Sequence, residues 1–131
     1  MKAIVIFFIV ALTSTAFAQT KRPESAAIRT RTLDSAVYQL FATQNTWNFI
    51  KLDTRNGKMW QVQFDINGNN RGQTVLNLIP LVIKEKELKG RFTLYPTQNI
   101  FNFILLDQID GYVYQVQWST EEKNRVVIPI Y

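Results

Sequence analysis

The sequence predicts an all-β protein made of two tandem meander repeats of about four strands each, and three observations lead there. The chain repeats itself at an offset of 54 residues: the stretch from Tyr38 to Phe64, YQLFATQNTWNFIKLDTRNGKMWQVQF, matches that from Phe92 to Trp118, FTLYPTQNIFNFILLDQIDGYVYQVQW. Self-similarity at one fixed period implies a duplicated supersecondary unit whose apolar face is buried by its neighbour. The last run of each copy alternates apolar with polar residues, the period-two signature of a half-buried strand. Between the runs lie segments rich in Asp, Asn and Gly, the residue types of short turns.

Taken in order, Tyr38 to Phe41 is a short apolar-rich strand, Ala42 to Thr46 carries turn residues, and Trp47 to Leu52 is a second run of strand-forming types. The five-residue link from Asp53 to Gly57 suits a hairpin, because Asp bonds the amides ahead of it and Gly supplies the positive φ that a last turn position needs. Lys58 to Phe64 is the third strand. The second copy repeats the scheme, with Asp107 and Gly111 bounding its hairpin and with Pro96, a residue confined to strand ends because it cannot donate to a ladder, before its TQN turn.

Alternation assigns Trp60, Val62 and Phe64, and in the second copy Tyr114, Val116 and Trp118, to the core side. Gln61, Gln63, Gln115 and Gln117 then face outward. A further apolar run follows each meander, Thr74 to Ile83 and Arg125 to Tyr131; Pro80 and Pro129 mark both as fourth strands at sheet edges. The charged stretch Lys84 to Gly90 (KEKELKG) joins repeat one (36–83) to repeat two (91–131).

Eight strands in two sheets related by a pseudo-twofold can close as a small barrel or stack as a sandwich. The largely apolar run Phe101 to Leu106 (FNFILL) favours a chain that buries both halves against each other. The alternative is a pair of propeller-like blades, which close a ring only by oligomerising.

The ends fix further expectations. Met1 to Ala18 has Lys2, an apolar run from Ala3 to Leu12 and a final Ala16-Phe17-Ala18, the layout of a signal peptide cleaved after Ala18. The run is shorter than the roughly 20 residues that span a bilayer, so no membrane span is expected. Residues 19–35, with Lys21, Arg22, Arg29 and Arg31, read as a flexible basic arm, and 36–131 as a single β domain. The formal charge is +5, and the chain has no Cys and no His. No disulfide, thiolate nucleophile, Cys-linked lipid anchor or Ser-His-Asp relay is therefore available, and the commonest zinc ligands are missing. No cofactor and no metal are expected, and nucleic acid is an unsuitable partner for an exported chain.

Candidate chemistry is sparse. Asp53 and Asp107 are repeat mates, the arrangement of a carboxylate pair sharing a proton, but they lack the D-[ST]-G turn of such sites and read better as hairpin residues. Asp65 to Asn70 (DINGNN) resembles the start of a calcium loop yet lacks Gly at its sixth place and Glu at its twelfth. The amides are the most suggestive polar set: Gln61, Gln63, Gln115 and Gln117, with Asn48 and Asn102 on the adjoining strands. Amide rows beside exposed aromatics such as Trp47 or Tyr112 suit sugar hydroxyls or peptide backbone, with a ring stacking on the ligand.

The pattern L-[FY]-[AP]-T-Q-N-x-[WF]-N-F-I-x-L-D-x-x-x-G-x-x-[WY]-Q-V-Q-[FW], from Leu40 to Phe64 and Leu94 to Trp118, resembles a repeat found in small exported bacterial proteins and covers about half of the chain after Ala18. The resemblance implies a bacterial, periplasmic or extracellular protein and carries no catalytic residues. The sequence thus leads to a non-enzymatic binding module for a glycan or a protein surface. The alternatives are a small inhibitor or assembly factor acting on a partner protein, and a carboxylate-dependent hydrolase using Asp53 and Asp107.

Overall fold

The computed structural model describes residues 36–131. The expected signal peptide and basic arm lie outside the described residues. Eight strands follow in order: β1 (Tyr38–Ala42), β2 (Asn48–Asp53), β3 (Met59–Gln63), β4 (Gly72–Asn77), β5 (Phe92–Pro96), β6 (Asn102–Asp107), β7 (Val113–Gln117) and β8 (Val126–Ile130). They form two antiparallel meanders, β1-β2-β3-β4 and β5-β6-β7-β8, each with both edges unpaired among the described residues, so these strands make a layered pair of sheets and not a closed barrel. Pro96 ends β5 and Pro129 lies on the edge strand β8, while β4 stops at Asn77, three residues short of Pro80. The linker contributes one short 3₁₀ turn, Lys84–Lys86. Among the described residues no helix is long and apolar enough to cross a membrane.

The sequence shared by the copies is mostly turn chemistry. In the first TQN, the Thr43 hydroxyl donates to the carbonyls of Asn45 and Asn48, both at 2.9 Å, and Asn45 Oδ1 accepts the Trp47 amide at 2.9 Å. Thr97 and Asn99 repeat these bonds at 3.0 Å onto Asn99, Asn102 and Phe101. The β2–β3 and β6–β7 hairpins close through Gly57 and Gly111 amides donating to the Asp53 and Asp107 carbonyls, with φ of 78° and 76°. That left-handed conformation is the one a Cβ disfavours, which explains why Gly alone is kept inside otherwise different turns.

The core is one cluster. Ile50, Leu52, Met59 and Leu76 come from the first sheet and Phe92, Leu94, Phe103, Leu105, Val116 and Trp118 from the second, all buried. In the second sheet the alternation faces the way the sequence predicts: Val116 and Trp118 are buried and Tyr114 packs against the cluster. In the first sheet it is reversed. Met59 and Gln61 point inward, the latter 3% exposed, while Trp60 and Val62 are half-exposed and Phe64 is exposed.

Cross-strand rows make the reversal plain, since residues opposite each other in an antiparallel pair share a face. The row Leu94–Leu105–Tyr114–Pro129 lies on the core side of the second sheet. Its counterpart 54 residues earlier, Leu40–Lys51–Trp60–Val75, lies on the outer side of the first. Conversely Phe41–Ile50–Gln61–Thr74 faces the core, and its counterpart Tyr95–Ile104–Gln115–Ile128 faces out. Unlike faces meet, front to back, as successive propeller blades stack. A twofold relation brings like faces together, so the pseudo-twofold part of the expectation is corrected. The physical reason is that both sides of each sheet are apolar enough to bury, and alternation alone does not say which side finds a neighbour.

Candidate functional site

At the end of each sheet where the TQN turn meets the third strand, a cavity opens between aromatic rings and amides. In repeat one it measures about 340 Å³ and is lined by Asn45, Trp47, Asn48, Gln63 and Phe64. In repeat two it measures about 300 Å³ and is lined by Asn99, Phe101, Asn102, Gln117 and Trp118. The two linings are identical in position at the 54-residue offset. Backbone bonds hold each wall: the Phe64 amide donates to the Trp47 carbonyl and the Trp118 amide to that of Phe101, both at 3.0 Å. The rings pack in pairs, Trp47 on Phe64 at 5.3 Å and Phe101 on Trp118 at 5.4 Å. Trp118 is further fixed by its indole N–H, which donates to the Ile100 carbonyl at 2.9 Å.

The surroundings differ. Repeat one adds Asp65, Asn67 and Asn70 from the β3–β4 loop and Thr120 from repeat two, so its cavity is walled by both halves of the chain. Repeat two adds Ser119 and Asn124 from its own loop. Asp65 is occupied as a turn residue, accepting the Asn67 amide at 3.0 Å and the Asn70 side chain at 3.2 Å. Asp65 to Asn70 thus form an Asn/Gly turn closed by its own hydrogen bonds.

Of the six amides singled out from sequence, Asn48, Gln63, Asn102 and Gln117 line the cavities. Gln61 and Gln115 do not. Gln61 is buried between the sheets and donates to Asn48 Oδ1 at 3.0 Å, leaving its own Oε1 without a partner among the described residues. Gln115 makes the same 3.0 Å bond to Asn102 Oδ1, but on the exposed face of the second sheet. Each bond orients the Asn that lines a cavity. Gln61 therefore corrects the expectation of an outward-facing ligand. Sequence reasoning missed Asn45, Asn99 and the ring of Phe64; their signal was the constancy of T-Q-N-x-[WF] directly before a strand whose partner is followed by an aromatic.

The carboxylate pair is built differently. Asp53 accepts from Arg55 Nε at 3.0 Å and Nη2 at 2.8 Å, and Asp107 from Arg91 Nε at 3.1 Å and Nη2 at 2.7 Å. Burial pushes both carboxyls up, but these guanidinium bonds and the backbone amides of the turn outweigh it, and both lie below their ordinary value. A proton-sharing dyad requires one carboxyl to be raised, whereas here each is held ionised by its own arginine.

A larger, mainly apolar cleft of about 420 Å³ lies between the linker and repeat two, with Leu81, Val82, Tyr112, Tyr114 and Tyr131 in its wall. It depends on the linker, whereas the amide–aromatic cavity is built twice from the repeated residues themselves. Comparison of the chain with protein-family models, with curated proteins and with solved structures gives no match.

Proposed function

We propose that this is an exported, non-enzymatic binding protein whose two equivalent cavities each take a sugar unit of a glycan. The observation that supports it is the duplication of one ligand-like constellation: an exposed ring at Trp47 or Phe101, with Asn45, Asn48 and Gln63 or Asn99, Asn102 and Gln117 converging beside it. Side-chain amides both donate and accept, matching hydroxyl groups that do the same, and an aromatic face covers the apolar side of a pyranose ring. The residues that the two cavities share are rings and amides, groups that recognise a ligand and are not among the usual nucleophiles or general bases, which supports a binding role.

A glycan array followed by tryptophan-fluorescence titration of the best hits tests the reading. Trp47→Ala and Phe101→Ala remove exposed rings, and each is expected to weaken its own site by at least about tenfold while the far-UV spectrum is unchanged. Binding that survives both substitutions, or an array without hits, overturns it.

A further inference from the structure

Among the described residues the face-to-back packing leaves one uncovered face at each end of the sheet pair, and the two are not alike. The outer side of repeat one carries the row Leu40–Lys51–Trp60–Val75, with Leu40 and Val75 59% and 44% exposed. This row is the counterpart of the one by which repeat two packs on repeat one. The outer side of repeat two carries Tyr95–Ile104–Gln115–Ile128, with Ile128 50% exposed, and is the counterpart of the face by which repeat one receives repeat two. Each chain thus exposes both halves of an interface it already makes once internally.

We infer that these two faces bind each other between copies of the chain, the outer face of repeat one stacking on the outer face of repeat two of the next copy. A surface joined to a different surface in this way is heterologous, and it closes a ring if the rotation between blades closes and otherwise propagates as a fibre. Propellers close with about 4–8 blades, which corresponds to about two to four copies of a two-blade chain.

The bonds that cross the internal junction have equivalents waiting at the ends. Gln44 donates to the Thr97 carbonyl at 3.4 Å, and Gln98 holds the same place in the next TQN turn. Arg125 Nε donates to the Ser119 carbonyl at 2.8 Å and its Nη1 reaches the Val75 carbonyl across the junction at 3.3 Å. Arg71, its counterpart, makes the matching local bond to the Asp65 carbonyl at 3.0 Å and so presents its guanidinium to the Pro129 carbonyl of a neighbouring copy.

The Gln115–Asn102 bond, exposed in one chain, is the one that Gln61 and Asn48 make in the buried junction. Lys51 is the one charged member of the central row. Its ammonium already lies 4.5 Å from the Trp60 ring centroid and bonds Gln73, so part of its desolvation is met within the chain.

Stacking also completes the second cavity. Thr120 of repeat two walls the cavity of repeat one, and 54 residues earlier the counterpart is Ile66, which is exposed. In the assembly Ile66 of the next copy stands over Phe101 and Asn102. This completion rests on the proposed binding role; the assembly itself does not, and its test uses no ligand.

The full chain, expressed for export, is examined by light scattering from micromolar to millimolar concentration. A mass of two or more chains is expected. Val75→Lys blocks the face of repeat one and Ile128→Lys that of repeat two, with Leu40→Lys and Ile130→Lys as second variants should circular dichroism show either to be unfolded. Each variant alone is expected to run as one chain, and an equimolar mixture of one from each face as a dimer, since the mixture restores a single intact pair of unlike faces. A wild-type protein that keeps the mass of a single chain up to millimolar concentration overturns the inference. So does a variant that still pairs with itself while its counterpart does not, because that is association between like faces.

Discussion

Asp53 and Asp107 stand at equivalent positions, yet each recruits its arginine from a different place, Arg55 inside the hairpin and Arg91 from the start of β5. Arg91 is itself buried, so the second pair stands in the interior and the first at its margin. Both carboxyls sit below the ordinary 3.8. A carboxyl whose folded pKa is depressed stabilises the fold above the unfolded pKa, and that contribution is lost as the pH falls through the folded value.

Thermal melts between pH 7 and pH 2 are therefore expected to show a plateau down to about pH 5 and a steady loss below it. Asp107→Asn leaves the buried Arg91 guanidinium with only the partly exposed Asp110 carboxylate, 2.5 Å from its Nη2, and should lower Tm at pH 7 by roughly 5–15 °C while flattening the acid limb. An unchanged acid limb would show that other groups drive it. The turn role of both Asp residues was readable from their spacing to Gly; the arginines were not, since Arg91 is far from Asp107 in sequence and its counterpart in repeat one is Val37.

At the level of elements, the two hairpins offer a controlled comparison. Gly57 and Gly111 share a left-handed backbone, but a Cβ added at Gly57 would meet Leu81 Cδ1 at 2.7 Å, whereas at Gly111 nothing lies within 4 Å. Gly111→Ala is expected to cost about 1–2 kcal/mol, the conformational term alone. Gly57→Ala should cost more by about 1–3 kcal/mol, the overpacking of Leu81, which closes over the first hairpin from the segment between β4 and the linker. Equal losses in urea denaturation would mean that Leu81 yields freely. That segment is tied there by the Leu81 amide donating to the Asn56 carbonyl at 2.8 Å, and the linker by the Asn56 side chain donating to Glu87 at 2.9 Å. The repeat made the hairpins legible in the sequence, while the charged linker, having no second copy, gave no hint that it packs against one of them.

For the molecule as a whole, stability resides in the junction between unlike sheet faces. Leu105→Ala, at a fully buried position, should cost about 2–5 kcal/mol. Ile104→Ala, one residue away on the half-exposed outer face, should cost the single chain under about 1.5 kcal/mol but should also weaken any assembly through that face. Denaturation read together with solution mass separates the two effects. A dilute chain in which both substitutions cost the same would contradict the burial of one face only.

The sequence alone determined the strands, their antiparallel order, the hairpin turns and the existence of two equal units, because these follow from local periodicity and turn chemistry repeated at a fixed interval. It determined that T-Q-N and Q-V-Q matter to each unit. Tertiary structure alone decided that Gln61 is inside and Gln115 outside, that Trp60 meets solvent while Trp118 is buried, and that Lys51 lies on an outer face while its counterpart Leu105 lies in the core. A strand with two apolar sides presents two candidate core faces at the same period, and only the neighbour that docks on one of them removes it from water.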